Sequence, residues 1–122
     1  MKHSVPPDNI RLKRAYEKPT AEDGGRILVD RLWPRGVSKD AAALEYWAKD
    51  LAPSTELRKW FHHEPRLWEE FQRRYVEELR QNEELLTQLR ERARAGRITL
   101  IYASRDESQN DAVVLRDILL GR

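Results

Sequence analysis

Seven consecutive residues, Asp30-Arg31-Leu32-Trp33-Pro34-Arg35-Gly36, place two guanidinium groups, a carboxylate and an indole directly after the apolar run Ile27-Leu28-Val29. Such a run reads as a strand buried in a sheet, and Pro34 and Gly36 mark the turn that follows it. A second polar group, Ser104, Arg105, Asp106 and Asn110, follows a second apolar run, Ile98 to Tyr102. If the two strands run in one direction, both groups meet at the carboxyl edge of the sheet, where open α/β folds collect ligands. Arginine offers a planar fork of donors suited to carboxylate or phosphate, and serine and asparagine add neutral hydrogen bonds. A helix starting near Asn110 adds backbone donors and a dipole favourable to an anion. These residues therefore predict a site for a small anionic ligand, held by Arg31 and Arg35. Trp33 forms a wall or stacking surface, and Ser104, Arg105 and Asn110 complete the polar set. Asp30 and Asp106 are the candidate catalytic carboxylates, which either orient the arginines or supply a base.

The same residues also support a purely structural reading. Asp30 with Arg31 or Arg105 makes an internal ion pair, Trp33 packs over the sheet edge, and Asp106 and Ser108 cap the last helix. Ser104 lacks the Gly-x-Ser-x-Gly elbow and has no histidine near it in sequence, so a serine nucleophile is not expected. His62 and His63, adjacent on a helix, diverge by about 100° and do not share a face, so no metal site is expected. The pair Gly24-Gly25 precedes its strand instead of following it, which removes a dinucleotide loop. No cofactor is specified by any motif, and the residues leave open whether a reaction is catalysed.

The elements that must position these groups follow from periodicity. Ile10 to Tyr16 alternates as a half-buried strand, and Arg26 to Asp30 forms the second strand after a loop over 17–25. Ser38 caps a turn, Ala41 to Ala43 is helix-compatible, and Leu44 to Leu51 reads either as a short strand or as an irregular segment. Ser54 is the expected N-cap of a helix bearing Leu57, Trp60 and Phe61, ending at His62-His63-Glu64-Pro65. From Pro65, Trp68, Phe71, Tyr75 and Leu79 share one helical face, and Leu85, Leu86, Leu89 and Ala93 continue a helical pattern to Gly96. A strand over 98–102 and a final helix carrying Val114, Leu115, Ile118 and Leu119 complete the chain. Helical crossovers between apolar strands favour parallel pairing. The expectation is a single small three-layer α/β domain over 1–122, with a mainly parallel central sheet flanked by helices and a flexible segment over 1–9.

Composition narrows the function classes. Charged residues make up 36% of the 122 residues, yet four tryptophans, four tyrosines and two phenylalanines supply the apolar surface a disordered chain lacks. The 23 basic and 21 acidic residues nearly cancel, which weakens a general nucleic-acid role despite the group Arg11, Lys13, Arg14 and Lys18. With no cysteine, disulfides and thiolate chemistry are excluded. Neither a signal-peptide core nor a membrane-length apolar window occurs, so a cytoplasmic protein, monomer or homodimer, is expected. The alternative to the small-ligand reading is a non-enzymatic nucleic-acid or protein interaction module.

Three motifs carry a resemblance: Leu-Val-Asp-Arg-Leu-Trp-Pro-Arg-Gly, Pro-Ser-Thr-Glu-Leu-Arg-Lys-Trp-Phe-His, and Leu-Ile-Tyr-Ala-Ser-Arg-Asp followed by Gln-Asn. In this order they closely resemble the YeaO-like family, a domain-of-unknown-function family of small bacterial and archaeal proteins. The resemblance covers almost the whole chain and implies a compact α/β domain, with no established reaction to carry over. The family's characteristic positions match at Asp30, Arg31, Trp33, Pro34, Arg35 and Gly36. They match again at Pro53, Ser54, Leu57, Arg58, Phe61 and His62, and finally at Tyr102, Asp106 and Asn110. Relatives often have Ser-Ala-Lys where this chain has Ala103-Ser104-Arg105, and many have histidine at the position of Gln109. Both departures argue against an essential role for Ser104 or for an imidazole base there. Arg58 and His62, one helical turn apart, join the candidate ligand-binding set.

Overall fold

The computed structural model describes residues 4–122. Its centre is a four-stranded sheet, β1 (Ile10–Arg14), β2 (Gly25–Leu28), β3 (Tyr46–Trp47) and β4 (Ile98–Tyr102), in the spatial order β1-β4-β2-β3. All three pairings are parallel, with Ile10 opposite Ile98, Gly25 opposite Ile98 and Ile27 opposite Tyr46. The two apolar runs thus lie side by side and point the same way, as the long helical connection between them requires. Both observed strands stop short of the sequence expectation. β1 ends at Arg14, because Arg14 N turns to the Glu17 carboxylate, and β2 ends at Leu28, although Val29 N still reaches Ile101 O at 3.0 Å. The ambiguous segment over 44–51 resolves into the two-residue strand β3 and a 3-10 turn, Lys49–Leu51.

Five α-helices join the strands: α1 (Lys39–Ala42), α2 (Thr55–Phe61), α3 (Trp68–Arg80), α4 (Glu83–Ala95) and α5 (Asp111–Leu119). Ser38 caps α1 through Ala41 N, and Ser54 caps α2 through Leu57 N at 3.1 Å. Pro65 opens a 3-10 turn, Pro65–Leu67, and α3 starts only at Trp68. The helical pattern that continues to Gly96 is two helices, broken at Gln81 and Asn82, whose backbone N–H groups bond back to Glu78 and Leu79. The break lets α4 reverse, and Leu86, Leu89 and Ala93 then join Phe71, Tyr75 and Leu79 in one core.

The layers are unequal. Ile27, Val29, Ile98, Leu100 and Tyr102 face a large core with residues from α2 to α5. On the other face Leu28, Ile101 and Ala15 are covered by Trp33, Leu44 and Trp47. The two indoles meet edge to face at 5.5 Å, and each is pinned by its N–H, Trp33 to Val37 O and Trp47 to Asp30 O. This thin second layer also holds a buried ion network: Asp23 takes Arg26 at 2.7 Å and Lys13 at 3.0 Å, and Arg26 Nε donates to Ala42 O. Gly24, at φ 64°, closes that corner; a Cβ there would lie 2.1 Å from Arg97 O, so no other residue fits.

Residues 1–3, part of the segment expected to be flexible, lie outside the described residues. From Val5 onward the chain is packed: Val5 is buried in the main core, and Asn9 Nδ2 donates to Ala93 O at 2.7 Å. Among the described residues no helix is long and apolar enough to cross a membrane.

Candidate functional site

The carboxyl ends of β1, β2 and β4 open into a recess of about 460 Å³. Three loops form it, the one after β2, the α2 terminus, and the one between β4 and α5. Asp30, Arg31, Trp33, Arg35, Arg58, His62, Ser104 and Asn110, all expected in the site, line it together. Arg105 and Asp106 are exposed on the loop and do not line it.

The local bonding divides these residues by role. Arg31 Nε and Nη2 donate to Pro53 O and Ala52 O, at 3.0 and 3.2 Å, so much of this guanidinium is spent on holding the α2 entry loop. Asn110 is the N-cap of α5, accepting from Val113 N at 3.0 Å and donating to Asp106 O at 2.8 Å. It takes the capping role expected of Asp106 and Ser108. Asp106 instead closes the preceding turn, accepting from Ser108 N and Gln109 N, and these two bonds lower its pKa. Ser104 Oγ accepts from Asp106 N and is likewise part of that turn.

The cations at the wall are a different population. Arg35 and Lys59 are exposed at the rim, and Arg58 is half-buried, its Nε sealed from solvent with no hydrogen-bond partner. None of the ion pairs formed among the described residues includes a cation that lines this recess. Arginines elsewhere do find carboxylates: the exposed Arg73 and Arg74 share Glu70, and the half-buried Arg92 holds Glu45. The recess therefore gathers several cations that form no ion pair.

Its floor carries the opposite chemistry. Asp30 Oδ2 accepts from Ala103 N at 2.9 Å, and its carboxyl is hydrogen-bonded to that of Asp111, the first residue of α5. Burial raises the pKa of Asp30, while the bond to Asp111, the Ala103 N–H and the charge of Arg58 pull it back. For Asp111, burial first and the Asp30 charge second push the pKa well above the ordinary range. Two adjoining buried carboxyls disfavour both being ionised, and the stronger upward push on Asp111 makes it the readier of the two to take a proton. Chemically, carboxyl groups so placed can accept hydrogen bonds from hydroxyl groups, and the cations above them are of the kind that complement negative charge.

Asp111 is thus the partner of Asp30, in place of the expected Asp106. Its signal in the sequence was its position directly after the cap Asn110, which puts it at the strand-end face of the last helix. Tyr16, Lys59 and His63 were also missed. Tyr16 is two residues beyond β1, so the strand-end rule used for β2 and β4 would have found it; its hydroxyl donates to Arg35 O at 3.2 Å. Arg14 ties the third loop down, donating to Ser104 O and Ala103 O. His62 and His63 adopt consecutive left-handed conformations, φ 46° and 55°, at the end of α2. For non-glycine residues such backbone costs about 1–3 kcal/mol each, and it turns the chain sharply at the recess rim.

The chain is a small parallel α/β protein with a recess lined by several cations at the carboxyl edge of its sheet. A family model described as the inactive DUF488-N3 subclade matches residues 9–122, and the chain belongs to this YeaO-like family. It is 46% identical over 111 residues to the uncharacterised protein YeaO of Escherichia coli, covering 91% of this chain and 96% of that one. It is 42% identical over 113 residues to the uncharacterised protein Rv3073c of Mycobacterium tuberculosis, covering 93% and 95%. No solved structure matches.

Proposed function

We propose that this protein binds a small anionic ligand, a phosphorylated metabolite or nucleotide, in the recess at the carboxyl ends of β1, β2 and β4. The observation that carries this reading is the set of cations, Arg35, Arg58 and Lys59, that line the recess without forming an ion pair. In a chain with almost as many acidic as basic residues, burying the Arg58 Nε without an acceptor is costly unless an anion completes it. The Asp30–Asp111 pair beneath supplies hydrogen bonds to ligand hydroxyls, and Trp33, Phe61 and Phe71 supply apolar wall. The family's description as an inactive subclade favours binding without turnover, with the acid pair reading hydroxyls instead of moving a substrate proton.

Calorimetric titration with AMP and with ribose 5-phosphate tests the reading. Saturable binding that weakens at least tenfold in Arg35→Ala/Arg58→Gln, with the variant still folded, is expected. Affinity unchanged in that variant, or no heat from either compound, contradicts it. A cytoplasmic location belongs to the same proposal, since phosphorylated metabolites are held there. A nucleic-acid module predicts instead a steep salt dependence of binding to mixed oligonucleotides.

A further inference from the structure

A further group of cations gathers at the opposite end of the sheet from the first recess. It lies at the amino-terminal end of the edge strand β1, where Arg11, Arg97 and Arg116 line a separate recess of about 400 Å³ with Pro7, Ile10 and Leu12. Three elements bring these arginines together: β1 carries Arg11, the turn into β4 carries Arg97, and α5 carries Arg116. None of the three is ion-paired within the described residues.

Their individual states point to an outside partner. Arg97 is fixed by Nε to Asp8 O and Nη1 to Glu22 O, both at 3.2 Å, which orients its guanidinium without neutralising it. Arg116 is half-buried, and its Nε is shut away from solvent with no acceptor. Arg11 is exposed on an edge strand. Among the described residues the one carboxylate at the lining is Asp8, so three cations face one anion and a local excess of two positive charges remains. The open edge of β1 adds a backbone donor. Ala15 N points to Tyr102 O and Arg14 N points away from β4 to Glu17, so strand alternation turns Leu12 N–H outward as well.

We propose that this recess is a second anion site, independent of the one above, which takes the phosphoryl group of a small molecule. A doubly charged phosphoryl group matches the local charge excess, and its several oxygens can meet guanidinium forks arriving from three directions. The apolar residues Pro7, Ile10 and Leu12 exclude water from one side and so strengthen each contact.

Amide-resolved NMR of the whole chain, titrated with inorganic pyrophosphate at constant ionic strength, tests the proposal. Saturable shifts at Ile10, Leu12 and Arg97 are expected, retained in Arg35→Ala/Arg58→Gln and weakened at least tenfold in Arg11→Gln/Arg116→Gln. Arg11→Gln alone changes an exposed side chain, keeps the fold, and is expected to weaken the same shifts severalfold. The proposal is overturned if these amides do not move, if sodium chloride at equal ionic strength moves them equally, or if Arg11→Gln binds like the parent. Shifts confined to mixed-sequence oligonucleotides, with none from pyrophosphate, overturn it in favour of a nucleic-acid surface. Because the two sites report on different amides, loss of one leaves the other readable.

Discussion

Replacing Asp23 by asparagine isolates the ion network under the thin layer of the sheet. The carboxylate accepts from Lys13 at 3.0 and 3.2 Å, from Arg26 at 2.7 Å, and from Thr20 N and Oγ1 at 3.1 and 3.0 Å, while the residue is 6% exposed. Burial, the largest influence, pushes its pKa up. The Thr20 N–H, Lys13 and Arg26 together outweigh burial and hold it at about 2, against an ordinary 3.8. At about 1.4 kcal/mol per pH unit the difference comes to about 2 kcal/mol. Because the folded value is depressed, that stability is present above the ordinary carboxyl range and is lost as pH falls from about 4 through about 2. Asparagine also leaves Arg26, 3% exposed and with Nη2 already unpartnered, without its counter-charge. Breaking one half of a buried pair costs about 3–5 kcal/mol, and the retained amide oxygen brings the expectation to the lower end. Urea unfolding of parent and variant should therefore differ by about 3 kcal/mol at pH 7, and by much less near pH 2. A variant within about 0.5 kcal/mol of the parent at pH 7, or an equal deficit at both pH values, refutes the reasoning.

Other expectations follow from single contacts. Tyr75→Phe removes the buried hydroxyl that donates to Leu51 O at 2.6 Å, and denaturant unfolding should show a loss of about 1–2 kcal/mol. Ser54→Ala loses both the α2 cap and the bond to Glu78 at 2.6 Å, for about 1–2 kcal/mol in the same assay. His62→Gly relieves a left-handed conformation at the end of α2, and thermal melting should rise by the equivalent of about 0.5–1 kcal/mol. Asp111→Asn removes a carboxyl whose folded pKa is raised, so the parent loses stability as pH climbs from the ordinary carboxyl range through the raised value; the variant should show a flatter profile and be more stable than the parent at pH 8.

Much of the fold was legible because its signals are local and repeated. Alternation and β-branching marked β1, β2 and β4, Ser38 and Ser54 marked helix starts, and the stripe of Trp68, Phe71, Tyr75 and Leu79 marked the core face of α3. The reversal between α3 and α4 was not legible, because Gln81 and Asn82 are compatible with helix and only the packing of Leu86 and Leu89 against α3 makes the chain turn. The inequality of the layers was likewise hidden: Trp33 and Trp47 cover a sheet face only because each indole N–H finds a loop carbonyl. At the candidate site, strand ends located Asp30, Arg35 and Ser104. Which cations would be left unpaired, and that Asp30 would meet Asp111, depended on distances that no spacing rule encodes.

The most direct measurement of the central claim is a high-resolution crystal structure of lightly purified protein, inspected at the carboxyl edge of the sheet. The account predicts a bound anion whose oxygens lie within about 2.7–3.2 Å of the Arg58 and Arg35 guanidinium groups, with a hydroxyl on the Asp30–Asp111 pair. A recess containing only water after soaking with AMP or ribose 5-phosphate, with Arg58 turned to pair with Asp30, would contradict it.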